Sequence, residues 1–271
     1  MAEMISKMND KVVAIVSGGM DSVVLLNHLL KQGKKVLVLN FSYGSKHNEA
    51  ERSCLMLVCR ALDVVLHTYD LPTECEAHYP WSEPGDEDST MVSLLASDLL
   101  KSGDAIPEGH YEAPNMKATV VPFRNGIMLS IAAGFAESHG ADSIAYACHA
   151  GDHAIYPDCR KGFTEVMGTA FEIGTYRSIH LDTPFVNMSK GEIAALGLEE
   201  GAPLEHTWTC YNGGAENGRP CLKCSTCIER ISAFHDCGVL DPALTAEEWD
   251  QGVGNMLRVE KEWKDANAAG S

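Results

Sequence analysis

Basic residues are the scarce class in this sequence: 21 Lys and Arg face 38 Asp and Glu, a formal net charge of −17 over 271 residues. So acidic a surface repels a phosphate backbone unless its cations gather in one patch, which disfavours nucleic acid as a partner. Long apolar runs are missing too. No stretch approaches the ~18 consecutive apolar residues of a membrane span, and the polar start MAEMISKMND lacks the apolar core of a secretory signal. These absences predict no membrane partner and a cytoplasmic location. In a reducing compartment the ten cysteines read as metal ligands or buried thiols rather than disulfides. The remaining composition, 45% hydrophobic and 22% charged, is that of a globular protein with a full core.

The first hundred residues alternate in period. Val12 to Val16 is a continuous apolar run suited to a strand covered on both faces, and Val23 to Gln32 has a helical stripe of Leu25, Leu26, Leu29 and Leu30. Lys35 to Phe41, Asn48 to Leu62 and Val64 to Tyr69 continue as strand, helix and strand. Short links between them imply right-handed crossovers and a mostly parallel, doubly wound α/β sheet. Residues 74–117 are acidic and rich in Pro and Gly, a long insertion with one helical piece predicted from Met91 to Leu100. The sheet pattern resumes at Thr119 to Val121, followed by a helix from Arg124 to His139 and a strand from Ser143 to Ala147. A helix near Phe163 to Gly174 and a last strand from Ser178 to Leu181 come next. Ser189-Lys190-Gly191-Glu192 matches a capping box, opening a short helix that ends near Leu196-Gly197. Residues 1–205 therefore form the α/β domain. Residues 206–271 form a cysteine-rich and helical carboxyl-terminal region, with a solvated helix from Thr245 to Ala266.

The strongest local signal is a strand, then Ser17-Gly18-Gly19-Met20-Asp21-Ser22, then a helix. Two glycines let backbone amides turn inward, and the helix start adds free N–H groups and the dipole that anions seek. The loop lacks the lysine of a Walker A motif, G-x-x-x-x-G-K-S/T, so the usual kinase cradle is not expected. Asp21 beside a phosphate makes sense when Mg²⁺ bridges the two. The plainer alternative is a tight strand–helix turn with Asp21 or Ser22 as its cap.

Cys210, Cys221, Cys224 and Cys227 follow the spacing C-x10-C-x2-C-x2-C. Four thiolates so placed can close tetrahedrally on a structural Zn²⁺. An iron–sulfur cluster is the rival, but the ferredoxin run ends in C-x3-C-P and here the next cysteine is Cys237. Of the rest, Cys54, Cys59, Cys75, Cys148 and Cys237 read as buried apolar residues, and Cys159 has a basic neighbour in Arg160 that would lower its pKa.

A third constellation is polar and sits at predicted strand ends, where doubly wound sheets bind ligands. Lys46, Arg124, Arg160 and Lys190 are candidates to balance phosphates or a substrate carboxylate, and Asp152 or Asp158 to accept from a guanine-like edge. Solvated loops are the alternative for any one of these residues.

The Ser17–Ser22 loop resembles the signature of the PP-loop ATP pyrophosphatases, which adenylate a substrate oxygen. The resemblance narrows with Tyr43-Gly44-x-x-His47, Val121-Pro122-x-Arg124-Asn125, Tyr156-Pro157-Asp158-Cys159-Arg160, Thr183-Pro184, Lys190 and Thr207-Trp208-x-Cys210-Tyr211 before the cysteine knuckle. In that order the set is similar to the QueC family of queuosine biosynthesis, 7-cyano-7-deazaguanine synthases. Ser45-Lys46 stands where the family has Gln-Arg, Phe123 and Leu222 stand where Gly is usual, and Ala150 to Ala154 replaces an Asn-rich version.

The resemblance implies a two-stage ligation. ATP adenylates the carboxylate of 7-carboxy-7-deazaguanine, ammonia displaces AMP to give the amide, and a second adenylation on the amide oxygen leads to the nitrile. It implies that Ser17, Gly18, Gly19, Met20, Asp21 and Ser22 hold the pyrophosphate with Mg²⁺. Asp21, Lys190 and Arg160 would serve the chemistry, and Arg124, Asn125, Asp152 and Asp158 the substrate. Zn²⁺ on the four cysteines, free ammonium as nitrogen source and a homodimer complete the expectation. The rival is a related ligase acting on a macromolecule, either tRNA or a protein that receives a deazaguanine.

Overall fold

The computed structural model describes residues 10–71, 74–76, 91–93, 97–100, 103, 105–214 and 218–269. Its centre is a five-stranded, wholly parallel sheet of β1 (Lys11–Ile15), β2 (Lys35–Ser42), β3 (Leu66–Asp70), β6 (Ser143–Ala145) and β7 (His180–Asp182), in the order β3-β2-β1-β6-β7. The apolar run at Val12 is continuous because β1 is central and covered on both sides. Successive side chains point to opposite faces of a strand, so Val13 and Ile15 enter one core while Val12, Ala14 and Val16 enter the other.

Two helices cover the first face: α3 (Arg124–His139), through Leu129, Ala132 and Ala136, and α4 (Lys161–Gly174), through Phe171. On the opposite face lie α1 (Met20–Lys31), α2 (Asn48–Ala61), α5 (Lys190–Glu200) and α6 (Ser225–Asp236), which contribute Leu25, Leu55, Ile193 and Phe234 to one cluster. The long α7 (Ala246–Ala269) packs on α6 through Met256 and Val259 against Ile228 and Ile231. The stretch 114–139 is long and apolar enough to cross a membrane by composition, yet its Met116, Met128 and Leu129 are buried inside the protein.

Three expectations need correction. Met91–Ser93 is not helical; it forms β5, antiparallel to β4 (Glu74–Glu76). Residues 94–96 lie outside the described set, and 97–100 form a turn closed by Leu99 N donating to Ser97 Oγ at 3.1 Å. A strand partner overrode the apolar stripe that reads as a helix. Thr119–Val121 adds no strand to the sheet either. Pro114–Thr119 is a 3-10 turn, Val120 N is spent closing it on Lys117 O at 3.2 Å, and Pro122 has no N–H to continue a strand ladder. Finally, α5 does not stop at Gly197. That glycine lies where helices touch: a Cβ on it would sit 2.6 Å from Val24 Cγ2 on α1. The helix stops at Gly201, whose φ of +69° ends it in the left-handed conformation. The Cys75 side chain and the chain beyond Ala269 lie outside the described residues.

Gly197→Ala tests that close approach. Alanine ordinarily favours a helix interior by about 1 kcal/mol over glycine. Here overpacking against Val24 is expected to reverse the sign and cost about 1–3 kcal/mol, read as a lower midpoint in urea unfolding with unchanged m.

Candidate active site

The carboxyl ends of β1, β2 and β6 open into one cleft with an empty volume of about 990 Å³, open solvent at its mouth included. The Ser17–Ser22 loop forms one end. Gly18 holds φ +108°, and a Cβ there would lie 2.2 Å from the Glu51 carbonyl oxygen, so only glycine lets β1 turn this close to α2. The hydroxyls shape the turn: Ser22 Oγ accepts from Ser17 N and donates to Gly19 O, and Ser17 Oγ accepts from Gly19 N at 3.0 Å. Gly19 caps α1 without a side chain, and Trp208 N donates to Gly18 O at 3.0 Å from the far side. The helix dipole and first-turn amides of α1 therefore face the cleft in an arrangement suited to anions.

Asp21 and Lys190 meet beside this loop. Lys190 Nζ lies 3.3 Å from Asp21 Oδ2 and donates to Glu229 Oε2 at 2.7 Å, while His149 Nε2 is 3.8 Å from Asp21 Oδ2. Burial alone would push the Lys190 pKa down. The carboxylates of Asp21, Glu229 and Asp152 outweigh it and hold the ammonium charged, well above its ordinary value. Burial likewise would raise Asp21, but Lys190 and His149 bring it below the usual carboxylate range. Glu229 moves the other way, raised because burial exceeds the pull of Lys190 and His149.

The other end is aromatic. Tyr43, Tyr111, Tyr146, Tyr156 and Tyr211 line it with His47, Arg124, Asn125 and Cys159. Burial raises the pKa of all five phenols, so they act as neutral donors and acceptors. Arg124 Nη1 donates to Tyr43 OH at 2.8 Å and its guanidinium stacks 5.0 Å above that ring. It joins no ion pair among the described residues. A half-buried guanidinium without an ion-pair partner among the described residues is suited to receive an anion. The Tyr156 and Tyr211 hydroxyls lie 3.3 Å apart, and His47 stacks on Tyr211.

Most of the sequence-selected residues thus share one cleft: Ser17, Gly19, Met20, Asp21, Ser22, Arg124, Asn125, Asp152 and Lys190 line it. Asp152 accepts from Tyr111 OH at 2.9 Å. Asp158 is not in the cleft wall; its Oδ2 accepts from Asn125 N at 2.9 Å and caps α3 from outside. Arg160 is exposed, with Nε donating to His153 O, and Lys46 reaches Asp98 O and Gly103 O. The structure brings neither to the cleft. Cys159 faces it as a thiol whose pKa burial pushes far up. Glu51, Glu229, Tyr111 and Tyr146 were not singled out from the sequence. Glu51 alone had a legible signal, standing one helical turn after His47.

The four cysteines converge as their spacing requires. The Sγ atoms of Cys210, Cys221, Cys224 and Cys227 lie within 4.8 Å of one another, close to the ~3.8 Å edge of a tetrahedron with Zn–S bonds of ~2.3 Å. Cys221 Sγ accepts from Cys224 N and Asn212 Nδ2, both at 3.3 Å, and Cys210 Sγ accepts from Cys221 N at 3.4 Å. Amide donors of this kind steady thiolate charge, so the donor set fits a thiophilic cation. The knuckle also contacts the cleft. Glu108 bridges to Cys224, and three residues on Tyr111 enters the cleft while His110 stacks on Trp263 of α7.

The family model described as "Queuosine biosynthesis protein QueC" matches residues 11–79 and 86–238. Among curated relatives, the 7-cyano-7-deazaguanine synthase of Hahella chejuensis is 41% identical over 233 residues, 86% of this chain and 92% of that protein. The 7-cyano-7-deazaguanine synthase 1 of Colwellia psychrerythraea is 42% identical over 235 residues, covering 87% and 98%. The Porphyromonas gingivalis enzyme of the same name is 44% identical over 228 residues, covering 84% and 94%.

Elemental analysis is expected to find one metal ion per chain, lost in Cys224→Ser. Because ligand binding to a folded site is folding free energy, chelation should destabilise the protein by several kcal/mol and drop its melting temperature sharply in calorimetry.

Proposed function

The chain belongs to the QueC family, and from that premise we propose that it is a ligase making 7-cyano-7-deazaguanine from 7-carboxy-7-deazaguanine, ammonia and ATP. The observation that carries this reading is the two-ended cleft: an anion-seeking loop beside a charged lysine at one end, and at the other, among phenols, an arginine with no ion pair among the described residues. The polyphosphate of ATP belongs at the first end and the carboxylated base at the second, which brings the α-phosphorus and the carboxylate together between them.

A carboxylate is a poor electrophile because its oxygens leave badly. Attack by a carboxylate oxygen on the α-phosphorus breaks the bond to pyrophosphate and gives a mixed anhydride, from which AMP departs when ammonia adds. The resulting amide attacks a second ATP through its oxygen, and loss of AMP leaves the nitrile. Backbone amides of the Ser17–Ser22 loop and the Lys190 ammonium receive the charge that builds on pyrophosphate. Asp21 Oδ1 is buried and bonded to nothing among the described residues, an oxygen suited to a hydrated Mg²⁺ that neutralises leaving-group charge. Arg124 takes the substrate carboxylate, and the rings of Tyr156 and Tyr211 flank the base. Asn125 and Asp152 read its polar edge. Asp158 acts from behind by fixing Asn125, and Arg160 by holding the His153 carbonyl. Cys210, Cys221, Cys224 and Cys227 would hold Zn²⁺ as a structural ion that pins the knuckle. The enzyme works in the cytoplasm as a homodimer.

Purified protein with Mg-ATP, ammonium and 7-carboxy-7-deazaguanine should yield the nitrile with AMP and pyrophosphate by mass spectrometry. Accumulation of amide alone would assign the second stage elsewhere, and no turnover by folded, metal-loaded protein would sink the reading. Arg124→Gln separates the subsites. Losing a charge-assisted bond worth about 1.5–3 kcal/mol should raise KM for the carboxylate about 10–100-fold and leave KM for the amide within a few-fold.

A further inference from the structure

One titratable group in the cleft has no part in the chemistry described so far. Glu51 stands on α2 where the two ends of the cleft meet, and the residue is 9% exposed. Its Oε1 accepts from Ser17 Oγ at 3.1 Å, and its Oε2 lies 3.5 Å from His47 Nε2. A Cβ on Gly19 would be 3.2 Å from Oε1, so the carboxyl lies directly against the loop. A fixed negative charge there would oppose a pyrophosphate, which makes the residue a poor choice as a mere prop for the loop.

Charged and titratable groups face Glu51 from every element around it. Asp21 comes from α1, Tyr43 from the end of β2, Arg124 from α3, His47 from the cap of α2 and Cys54 from α2 itself. Burial pushes the Glu51 carboxyl up to about 7; the Ser17 bond and Arg124 oppose the rise, and Asp21 adds to it. His47 is neutral, its pKa brought down to about 3 by burial and by Arg124. Glu51 can therefore change protonation in the working range of the enzyme while His47 cannot.

The chemistry has a matching demand. As the O-adenylated amide collapses, the carbon–oxygen bond breaks, its electron pair leaves on AMP, and nitrogen must shed a proton to form the third carbon–nitrogen bond. In the earlier stage ammonium must lose a proton before its lone pair can attack. Resting on the ligase reading above, we infer that Glu51 is the proton acceptor for the substrate nitrogen, its carboxylate taking the N–H proton as the bond to AMP breaks. The protonated carboxyl then returns its proton to solvent when the products leave.

The test uses the amide, 7-amido-7-deazaguanine, which removes ammonia from the pH dependence. Glu51→Gln keeps an oxygen for the Ser17 hydroxyl but cannot take a proton. In rapid-quench single turnovers, pyrophosphate release should stay within about threefold of the parent while nitrile formation falls about 10²–10⁴-fold, the loss of one general base. The adenylated amide should accumulate. The parent's nitrile rate should rise with pH through about 7, because the deprotonated form is the active one, and that limb should be absent in the Gln variant. Glu51→Asp should retain the limb at a lower rate. An equal loss of pyrophosphate release and nitrile formation in Glu51→Gln would make Glu51 a support for the loop and overturn the inference. An unchanged nitrile rate and pH limb would overturn it equally. Absence of pyrophosphate release by the parent protein with the amide would instead bring down the ligase reading, and the role of Glu51 with it.

Discussion

The site rests on one buried cation. Lys190, 9% exposed, lies between Asp21 of α1 and Glu229 of α6, so a single ammonium ties together the loop helix, its own helix and the helix of the cysteine knuckle. Taking these charges out of water costs several kcal/mol per ion, and only close pairing offsets it. The arrangement is therefore intolerant of losing its cation: deleting the Lys190 ammonium leaves Asp21 and Glu229 without their common partner, at about 3–5 kcal/mol. The capping box at Ser189, with Ser189 N and Oγ both bonded to Glu192 Oε2, fixes the start of α5 and so fixes where Lys190 emerges.

That constraint gives the cysteine knuckle a role in the cleft although none of its thiols lines it. Cys227 and Glu229 share the first two turns of α6, so whatever holds the four sulfurs together also sets the height of Glu229 against Lys190. A second arm runs from Arg230, which forks onto Asp241 through Nε and Nη2 and reaches Thr207 and Thr209 through Nη1. Trp208 lies between those threonines, and its backbone N–H holds the Gly18 carbonyl. Cysteine cluster, knuckle helix and anion loop are thus connected on two sides, so a metal held by the four cysteines would bear on the geometry of the cleft.

Much of this was legible in the sequence. The parallel sheet followed from apolar runs alternating with helical stripes, and the cysteine cluster from spacing alone, because both rest on local periodicity. What sequence could not show was direction. Asp158 and Arg160 sit in a dense run of polar residues, yet one caps α3 and the other faces solvent, whereas Glu229, on a helix read only as part of the knuckle, backs the cleft through its ion pair with Lys190. Two departures from the family's usual glycines have a common backbone basis. Phe123 and Leu222 hold φ +53° and +58°, in the left-handed region glycine enters without strain. Phe123 is further accommodated by Gly126, since a Cβ there would lie 2.4 Å from the Phe123 ring. The ring closes over the first turn of α3, the helix that presents Arg124.

The aromatic end of the cleft answers a problem particular to the proposed reaction, in which one ligand passes from carboxylate to amide to nitrile without leaving. A pocket built from several cations would hold the first species and lose the last two, while a wholly apolar pocket would refuse the first. Here one guanidinium stands among five phenols held neutral by burial. The guanidinium accounts for the charged ligand, and the phenols, each able to donate or accept, can re-pair as the charge disappears. Their rings supply stacking area that does not depend on the substituent. In the proposed reaction a chain with a net charge of −17 thus keeps one cation at each end of the cleft, Lys190 for the polyphosphate and Arg124 for the substrate. Because the two are held by separate partners, the loss of the substrate's charge between stages leaves the ATP end of the cleft unchanged for the second adenylation.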